Sequence, residues 1–198
     1  MVNITLIATF YSAGPLMPAA LAFSPTKIIL VVDVMNPEVR SNIAAVEKTF
    51  ESVAKVEVQK VKKDEIYEIA KKLVEIIDKE DIGKNNKIVV NVSGGWRVLI
   101  NGVLYGCYAR AGKVHRIVIN KTHGIGISDL PKLSYNLTQA RREVLMKVST
   151  KSEKSILDIA NELHKTRGMV YQHLRDLKDS GYVNEDYEIT DAGRLALL

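Results

Sequence analysis

The chain has 198 residues, 46% of them apolar and 26% charged, which excludes the disordered and fibrous classes and is ordinary for a globular protein. The single cysteine, Cys107, excludes a disulfide framework and favours a reducing compartment. The net charge of +5 comes from the front of the chain, because residues 1–136 hold 18 Lys and Arg against 13 Asp and Glu, whereas residues 137–198 hold 10 of each. This distribution favours a domain that receives an anion, or a Lys-rich solvated surface, over a basic DNA-binding tail.

The first 26 residues carry no charged side chain, which raises the question of a signal peptide or a membrane anchor. No basic residue precedes the apolar part, and Asn, Thr, Ser, Gly and Pro residues interrupt it. We therefore expect no membrane association and a cytoplasmic location.

Short β-rich runs alternate with stretches of helical periodicity through the first 120 residues. The predicted strands are Asn3–Thr9, Lys27–Asp33, an edge strand at Lys55–Val61, Lys87–Val92 and Arg116–Asn120. The predicted helices are Leu16–Ala22, Pro37–Val53, one that begins at an Asp64 cap and continues through Ile76, and Trp96–Ala111. This alternation predicts an α/β fold, in which a mostly parallel sheet is covered by helices on both faces.

The pattern stops after Asn120. The stretch KTHGIGISDLPKLSYN reads as a linker, with one short strand at Ile125–Ile127. Helical periodicity follows, so we predict two domains, residues 1–134 and 135–198.

The C-terminal domain has the layout of a winged helix-turn-helix. Its predicted helices are Leu137–Val148, Ile156–Leu163 capped by Ser155, Val170–Lys178 capped by Thr166, and a last helix capped by Thr190, with a wing at residues 182–189. In such a domain the outer face of the second helix of the motif contacts DNA, and here it carries Thr166, Arg167, Tyr171, Gln172 and Arg175.

The alternative is that this face is merely solvated, in a domain that mediates dimerisation or protein contact. The segment is net neutral and its wing carries Glu185 and Asp186, which would repel phosphate, so we expect modest DNA affinity without dimerisation. The segment SILDIANELHKTRGMVYQHLRDLKDSGYV resembles archaeal and bacterial winged-helix regulators.

Two loops of the N-terminal domain should meet where the strand order of an open parallel sheet reverses, between the first and fourth strands. One is Thr9–Gly14 and the other is Ser93–Arg97, with its two adjacent glycines. Exposed amide groups at a helix start favour an anion, with Arg97 in the first turn, although a tight turn needed only for packing explains the glycines equally well.

Several common site classes lack their signatures. The sequence has no G-x-G-x-x-G after the first strand, so Asp33 alone is weak evidence of a ribose contact, and it has no P-loop. The four histidines are scattered, and neither a metal cluster nor a Ser-His-Asp grouping can be argued from spacing. We therefore predict no metal and no cofactor.

Nearly the whole chain resembles the CRISPR-associated Rossmann-fold (CARF) regulators, most specifically in VVNVSGGWRVLINGVLYGCY, residues 89–108. In that family a Rossmann-like domain dimerises and binds a cyclic oligoadenylate, often cyclic tetra-adenylate, across its two-fold axis. The resemblance therefore implies a homodimeric, ligand-responsive regulator of CRISPR genes that binds double-stranded DNA and serves antiviral defence.

The resemblance also implies roles for individual residues. Phosphate and ribose would be held by Ser93, Gly94, Gly95 and Arg97, with Thr9 and Ser12 as the floor and Asn120, Lys121 and Thr122 as part of the rim. Trp96 departs from the small or charged residues common at its position, and it either stacks on an adenine or packs under the helix.

An enzyme is the main alternative. A metal-independent ring nuclease needs a ribose 2′-hydroxyl held in line with the phosphorus and a cation for the developing charge, and Ser12, Arg97 and Lys121 would supply this chemistry. A weaker alternative is a regulator whose first domain binds a nicotinamide or methyl-donor cofactor.

Overall fold

A computed structural model describes residues 3–81, 85–121, 126–133, 135, 137–150 and 155–198. The chain forms two compact units, Met1–Ser134 and Tyr135–Leu198. No helix within the described ranges is long and apolar enough to cross a membrane.

The first unit is built on a six-stranded sheet. Its elements are β1 (Asn3–Thr9), α1 (Met17–Phe23), β2 (Lys27–Val32), α2 (Pro37–Phe50), β3 (Lys55–Lys60), α3 (Ile66–Glu80), β4 (Asn86–Asn91), α4 (Arg97–Ala109), β5 (Val114–Asn120) and β6 (Ile127–Leu130). The strand order is β3-β2-β1-β4-β5-β6, with β1 to β5 parallel and β6 antiparallel to β5. The predicted α/β class, the mostly parallel sheet and the edge position of β3 are confirmed.

Helices cover both faces of this sheet. Side chains on one face, including Ile7 and Val90, form an apolar layer with α3 and α4. Side chains on the other face, including Leu6 and Val89, form a second layer with α1 and α2. The strands are apolar on both sides because both sides are buried, which is why they appear in the sequence as continuous Val and Ile runs.

Several predicted boundaries differ from the structure, most of them by one to three residues. The second helix ends at Phe50, and Val53 lies beyond it with 64% of its surface exposed. Asp64 does not cap α3, because Glu65 takes the N-cap position and Asp64 has a left-handed φ of 61°. The short strand near Ile125–Ile127 is Ile127–Leu130 in the structure, and Ile125 lies outside the described residues.

The second unit has the predicted winged layout. Its helices are α5 (Gln139–Ser149), α6 (Ile156–Glu162), α7 (Arg167–Asp179) and α8 (Asp191–Leu197), and a single antiparallel bridge between Val183 and Ile189 forms the wing. The predicted caps are confirmed, because the hydroxyls of Ser155, Thr166 and Thr190 each accept a hydrogen bond from an amide in the first turn of α6, α7 and α8.

Close contact between α3 and α4 depends on two glycines one turn apart. A Cβ atom on Gly102 would lie 2.6 Å from Cβ of Ile69, and one on Gly106 would lie 2.9 Å from the carbonyl oxygen of Ala70. Both distances are shorter than van der Waals contact, so α4 approaches α3 only because these side chains are absent.

Gly102→Ala should therefore destabilise the first unit by about 1–3 kcal/mol, the usual cost of overpacking a core. Urea unfolding of the full chain, followed by circular dichroism, measures this loss. Gly112→Ala is the matched control, because a Cβ there meets nothing within 4 Å. Equal unfolding midpoints for the two variants would contradict the close packing of α3 on α4.

Candidate functional site

The strand order reverses between β1 and β4, which lie side by side in the middle of the sheet. β1 is followed by the loop to α1, and β4 by the turn to α4. The predicted meeting of the two loops at the switch point is therefore confirmed. In open α/β sheets the carboxyl edge at this point is where ligands bind.

The two glycines of the β4–α4 turn are required by the backbone itself. A Cβ on Gly94 would lie 2.5 Å from the carbonyl oxygen of Thr9, so this residue presses directly on the end of β1. Gly95 has a left-handed φ of 78°, and a Cβ there would lie 2.7 Å from Cδ2 of Leu99. Packing and turn geometry therefore account for the glycines, whether or not an anion also binds there.

Thr9 ties β1 to this turn. Its side chain is buried, and its hydroxyl accepts a hydrogen bond from the amide of Gly94 at 3.2 Å and donates one to the carbonyl of Asn91 at 3.4 Å. The Thr9 hydroxyl therefore holds the β4–α4 turn against the end of β1. Its proton is already donated within the protein, so it is not free to bind a ligand. The sequence predicted that Thr9 lines the floor of the ligand pocket. Because its hydroxyl is buried and already hydrogen-bonded, the structure does not favour a direct contact with ligand.

Asn91 connects the loop after β1 to the turn after β4, and the sequence did not point to it. Its side chain is 1% exposed; Nδ2 donates to the carbonyl of Pro15 at 2.9 Å, while Oδ1 accepts from the amide of Ser93 at 3.1 Å and from the Ser93 hydroxyl. The Ser93 hydroxyl accepts from the amide of Asn120 at 2.8 Å, and Nδ2 of Asn120 also donates to Pro15, at 3.0 Å. The available signal was an asparagine that interrupts the apolar run IVVNV.

The start of α4 offers unpaired positive charge. Trp96 takes the N-cap position without a side-chain cap, and the first turn contains no acidic residue. The first amides of a helix lack intrahelical partners and lie at the positive end of its dipole. Arg97 follows in the first turn, exposed and without a hydrogen bond or ion pair among the described residues.

An open cleft of about 680 Å³ lies beside this helix start, within the range of about 300–1,000 Å³ typical of small-molecule sites. Its walls come from the loops after β1, β2, β3 and β4, and its lining residues are Tyr11, Asp33, Val34, Asn36, Lys63, Asp64, Trp96, Arg97 and Val98.

Two aromatic rings form one wall of the cleft. The Trp96 side chain is 60% exposed, and its ring meets Tyr11 edge to face, with 6.0 Å between the centroids. The hydroxyl of Tyr11 donates to Oε2 of Glu38 at 2.7 Å, which fixes that ring. Trp96 therefore does not pack under the helix, the arrangement that the sequence left open.

Asp33 lies in the cleft at the end of β2 and is 6% exposed. Burial raises the pKa of its carboxyl, and the nearby charge of Asp64 adds to this effect, while hydrogen bonds from the backbone at Asp33 and Val34 oppose it. Within the described ranges Asp33 forms no ion pair.

The other predicted site residues include Ser12, Lys121 and Thr122. Ser12 is half-buried in the loop after β1, and Lys121 is exposed just after β5, where its amide donates to the carbonyl of Gly126 at 3.0 Å. Neither residue lines the cleft. Thr122 lies outside the described residues. Among the residues that are described, no three His, Cys, Asp or Glu side chains gather into a metal site.

In the second unit, α7 exposes the face that the sequence assigned to DNA. Arg167, Tyr171 and Arg175 are exposed, and the two arginines have no ion-pair partner in the described part of the chain. Gln172 is exposed but donates to Oδ1 of Asp176 at 2.9 Å, and the Thr166 hydroxyl serves as the helix cap. The acidic wing is partly compensated, since Lys178 pairs with Glu185 at 3.0 Å.

Comparison with known proteins supports the two units differently. Residues 138–185 match the profile of the bacterial regulatory protein, arsR family. No sequence of a curated protein matches the chain significantly.

The solved structures similar to this chain include three whose alignments extend over nearly all of it. Enterococcus italicus Csm6 bound to cyclic hexa-2′-fluoro-hexa-dAMP has a TM-score of 0.52 and 10% identity, and the match covers 92% of this chain and 57% of that one. Protein VC1899 from Vibrio cholerae has a TM-score of 0.51 and 10% identity, with 98% of this chain and 56% of that one covered. Can2 from Sulfobacillus thermosulfidooxidans in complex with cyclic tetra-adenylate has a TM-score of 0.48 and 13% identity, with 98% of this chain and 64% of that one covered. This chain thus spans less than two thirds of each of those proteins. The first two similarities show a shared fold, which fits the predicted α/β class, and the profile match supports the predicted helix-turn-helix of the second unit.

Thr9→Val should destabilise the first unit by about 1–3 kcal/mol, because it leaves the buried amide of Gly94 without its acceptor while keeping the shape of the side chain. Urea unfolding measures the loss. Thr9→Ser is the control, since it keeps the hydroxyl. If Thr9→Val unfolded at the same urea concentration as the parent chain, the hydroxyl would not hold the turn.

Proposed function

We propose that this protein is a DNA-binding transcription regulator that senses a cyclic oligoadenylate at the carboxyl edge of its sheet. The observation that carries the proposal is the uncapped start of α4 with the unpaired Arg97 beside an open, aromatic-walled cleft. This site lies at the switch point of a CARF-like fold, in a chain whose second unit matches an arsR-type regulator.

The helix start supplies the phosphate contacts. Amides at a helix N-terminus donate to anionic oxygens, and the helix dipole favours negative charge there. The Arg97 guanidinium adds a fixed positive charge with a donor fork that matches phosphate geometry. The amide of Gly95 and the first amides of α4 would contact a phosphate, while Thr9 and Ser93 would hold the turn in place.

A homodimer follows from the symmetry of the effector. A cyclic oligoadenylate with an even number of identical nucleotides has a two-fold axis, so two copies of one site can bind it across an isologous interface. A dimer also brings two recognition helices to half-sites about one turn of DNA apart. We propose cyclic tetra-adenylate or cyclic hexa-adenylate as the effector and promoters of CRISPR genes as the targets, in antiviral defence.

The second unit would bind DNA through the exposed face of α7. Arg167 and Arg175 are free to contact phosphates or base edges, and Tyr171 lies on the same exposed face. Gln172 would have to exchange its bond to Asp176 for a base contact. The net neutrality of residues 137–198 keeps the affinity of one unit modest, which again favours dimeric binding.

The regulator is favoured over the ring nuclease by the position of the residues assigned to catalysis. Of Ser12, Arg97 and Lys121, only Arg97 lines the cleft. Product analysis after incubation with the ring distinguishes the two functions, because a regulator leaves the ring intact and a nuclease yields linear products.

Arg97→Ala should weaken binding of the effector at least about tenfold, since it removes a charge-assisted phosphate contact. Isothermal titration with cyclic tetra-adenylate and cyclic hexa-adenylate measures the affinity. The control is Lys71→Ala, which removes one positive charge from an exposed position on α3 and should leave the affinity unchanged. Failure of the parent chain to bind either ring would contradict the proposed function.

The double variant Arg167→Ala/Arg175→Ala should lower DNA affinity at least about tenfold, since specific contacts of this kind contribute about 1–3 kcal/mol each. A gel shift with the chain's own promoter fragment, in the presence of excess random DNA, measures it. Arg194→Ala removes an exposed charge from α8 in the same unit and serves as the control. Undiminished binding by the double variant would remove this face of α7 from the interface.

A further inference from the structure

The cleft contains a buried carboxylate that the phosphate contacts do not use. Asp33 is 6% exposed at the end of β2, on the cleft that Trp96 and Tyr11 also line. The other acidic residue of the cleft, Asp64, has a side chain that is 69% exposed and lies 3.9 Å from the Lys63 ammonium. Asp33 is therefore the cleft carboxylate that is already shielded from water, whereas Asp64 remains solvated at the rim.

Stacking on the aromatic wall does not select among bases. Trp96 presents a largely exposed ring that Tyr11 supports edge to face, and such a ring accepts any base because every base has a π face. Selection therefore requires a polar group that meets the edge of the stacked base. Asp33 lines the same cleft and is the candidate for this polar group.

We propose that Asp33 selects adenine by accepting a hydrogen bond from the exocyclic amino group of a base stacked on Trp96. An ionised carboxylate only accepts hydrogen bonds, so it complements the 6-amino group of adenine and repels the 6-keto oxygen of hypoxanthine or guanine. A buried acceptor that faces the 6-position discriminates between bases, because the 6-keto oxygen of the wrong base offers it no hydrogen and repels it. This inference rests on the proposed function, because it assigns the base specificity of the same effector site.

The test compares adenine with hypoxanthine, which has a keto oxygen in place of the 6-amino group and a proton on N1. Cyclic tetra-adenylate and cyclic tetra-inosinate, or the hexamers if the protein binds the larger ring, are titrated into the full chain at about pH 8, where carboxyl groups are ionised. We expect the parent chain to bind the adenylate ring at least about tenfold more tightly than the inosinate ring.

Asp33→Asn should reduce this preference to less than about threefold, because an amide carries both a donor and an acceptor and accommodates either base. Asp64→Asn is the matched control. It removes the same charge from the exposed rim of the cleft, so it should shift both affinities by the same factor and leave their ratio unchanged.

The outcomes separate the two claims. If no adenylate ring binds the parent chain, the proposed function fails. If the adenylate ring binds and the inosinate ring binds equally well, or if Asp33→Asn keeps the full preference, the function stands and the role of Asp33 is overturned.

A 2′-fluoro adenylate ring tests contact with the ribose, the group that an acidic residue at the end of β2 contacts in dinucleotide-binding folds. We expect Asp33→Asn to weaken the hydroxyl and fluoro rings by the same factor. The contrary result is that the parent chain binds the fluoro ring more weakly than the hydroxyl ring, whereas Asp33→Asn binds both rings equally. Asp33 would then contact the ribose hydroxyl, and the inference would be overturned.

Discussion

The close approach of Gly94 to the end of β1 is the contact on which the candidate site depends. A side chain there would have its Cβ 2.5 Å from the carbonyl oxygen of Thr9, so only glycine lets the β4–α4 turn lie flat against the neighbouring strand. The Thr9 hydroxyl then accepts the Gly94 amide, and α4 begins two residues after Gly95. The position of the helix start, and with it Trp96 and Arg97, therefore follows from this contact.

At this edge of the sheet, some residues are held by hydrogen bonds to one another, and neighbouring residues have polar groups left without a partner. Hydrogen bonds among Asn91, Ser93, Asn120 and the carbonyl of Pro15 join the loop after β1, the turn after β4 and the end of β5. Among the described residues, only Oδ1 of Asn120 is a buried side-chain atom of this group without a partner. Arg97 and the first amides of α4 have no such partners among the described residues. A site that must bind an anion benefits from this division, because a preorganised base lowers the ordering cost of binding.

Features set by local sequence could be predicted, and features set by distant contacts could not. Strand and helix alternation, the caps at Ser155, Thr166 and Thr190, and the β1–β4 switch point follow from periodicity and short-range chemistry. The hub at Asn91 depends on the Pro15 carbonyl, 76 positions away in the sequence. The edge-to-face contact between Trp96 and Tyr11 likewise joins residues that are distant in the sequence. Sequence spacing does not reveal either contact.

The central claim is that ligand at the sheet edge and DNA at α7 are coupled. The direct measurement is the affinity of the full chain for its own promoter fragment, with and without a saturating cyclic oligoadenylate, at one salt concentration. Coupling between two sites is typically about 5- to 150-fold in affinity and is reciprocal, so the account predicts a change of at least about fivefold and an equal change in ring affinity when DNA is present. The account would be contradicted if the protein bound both the ring and the DNA tightly, and neither ligand changed the affinity for the other.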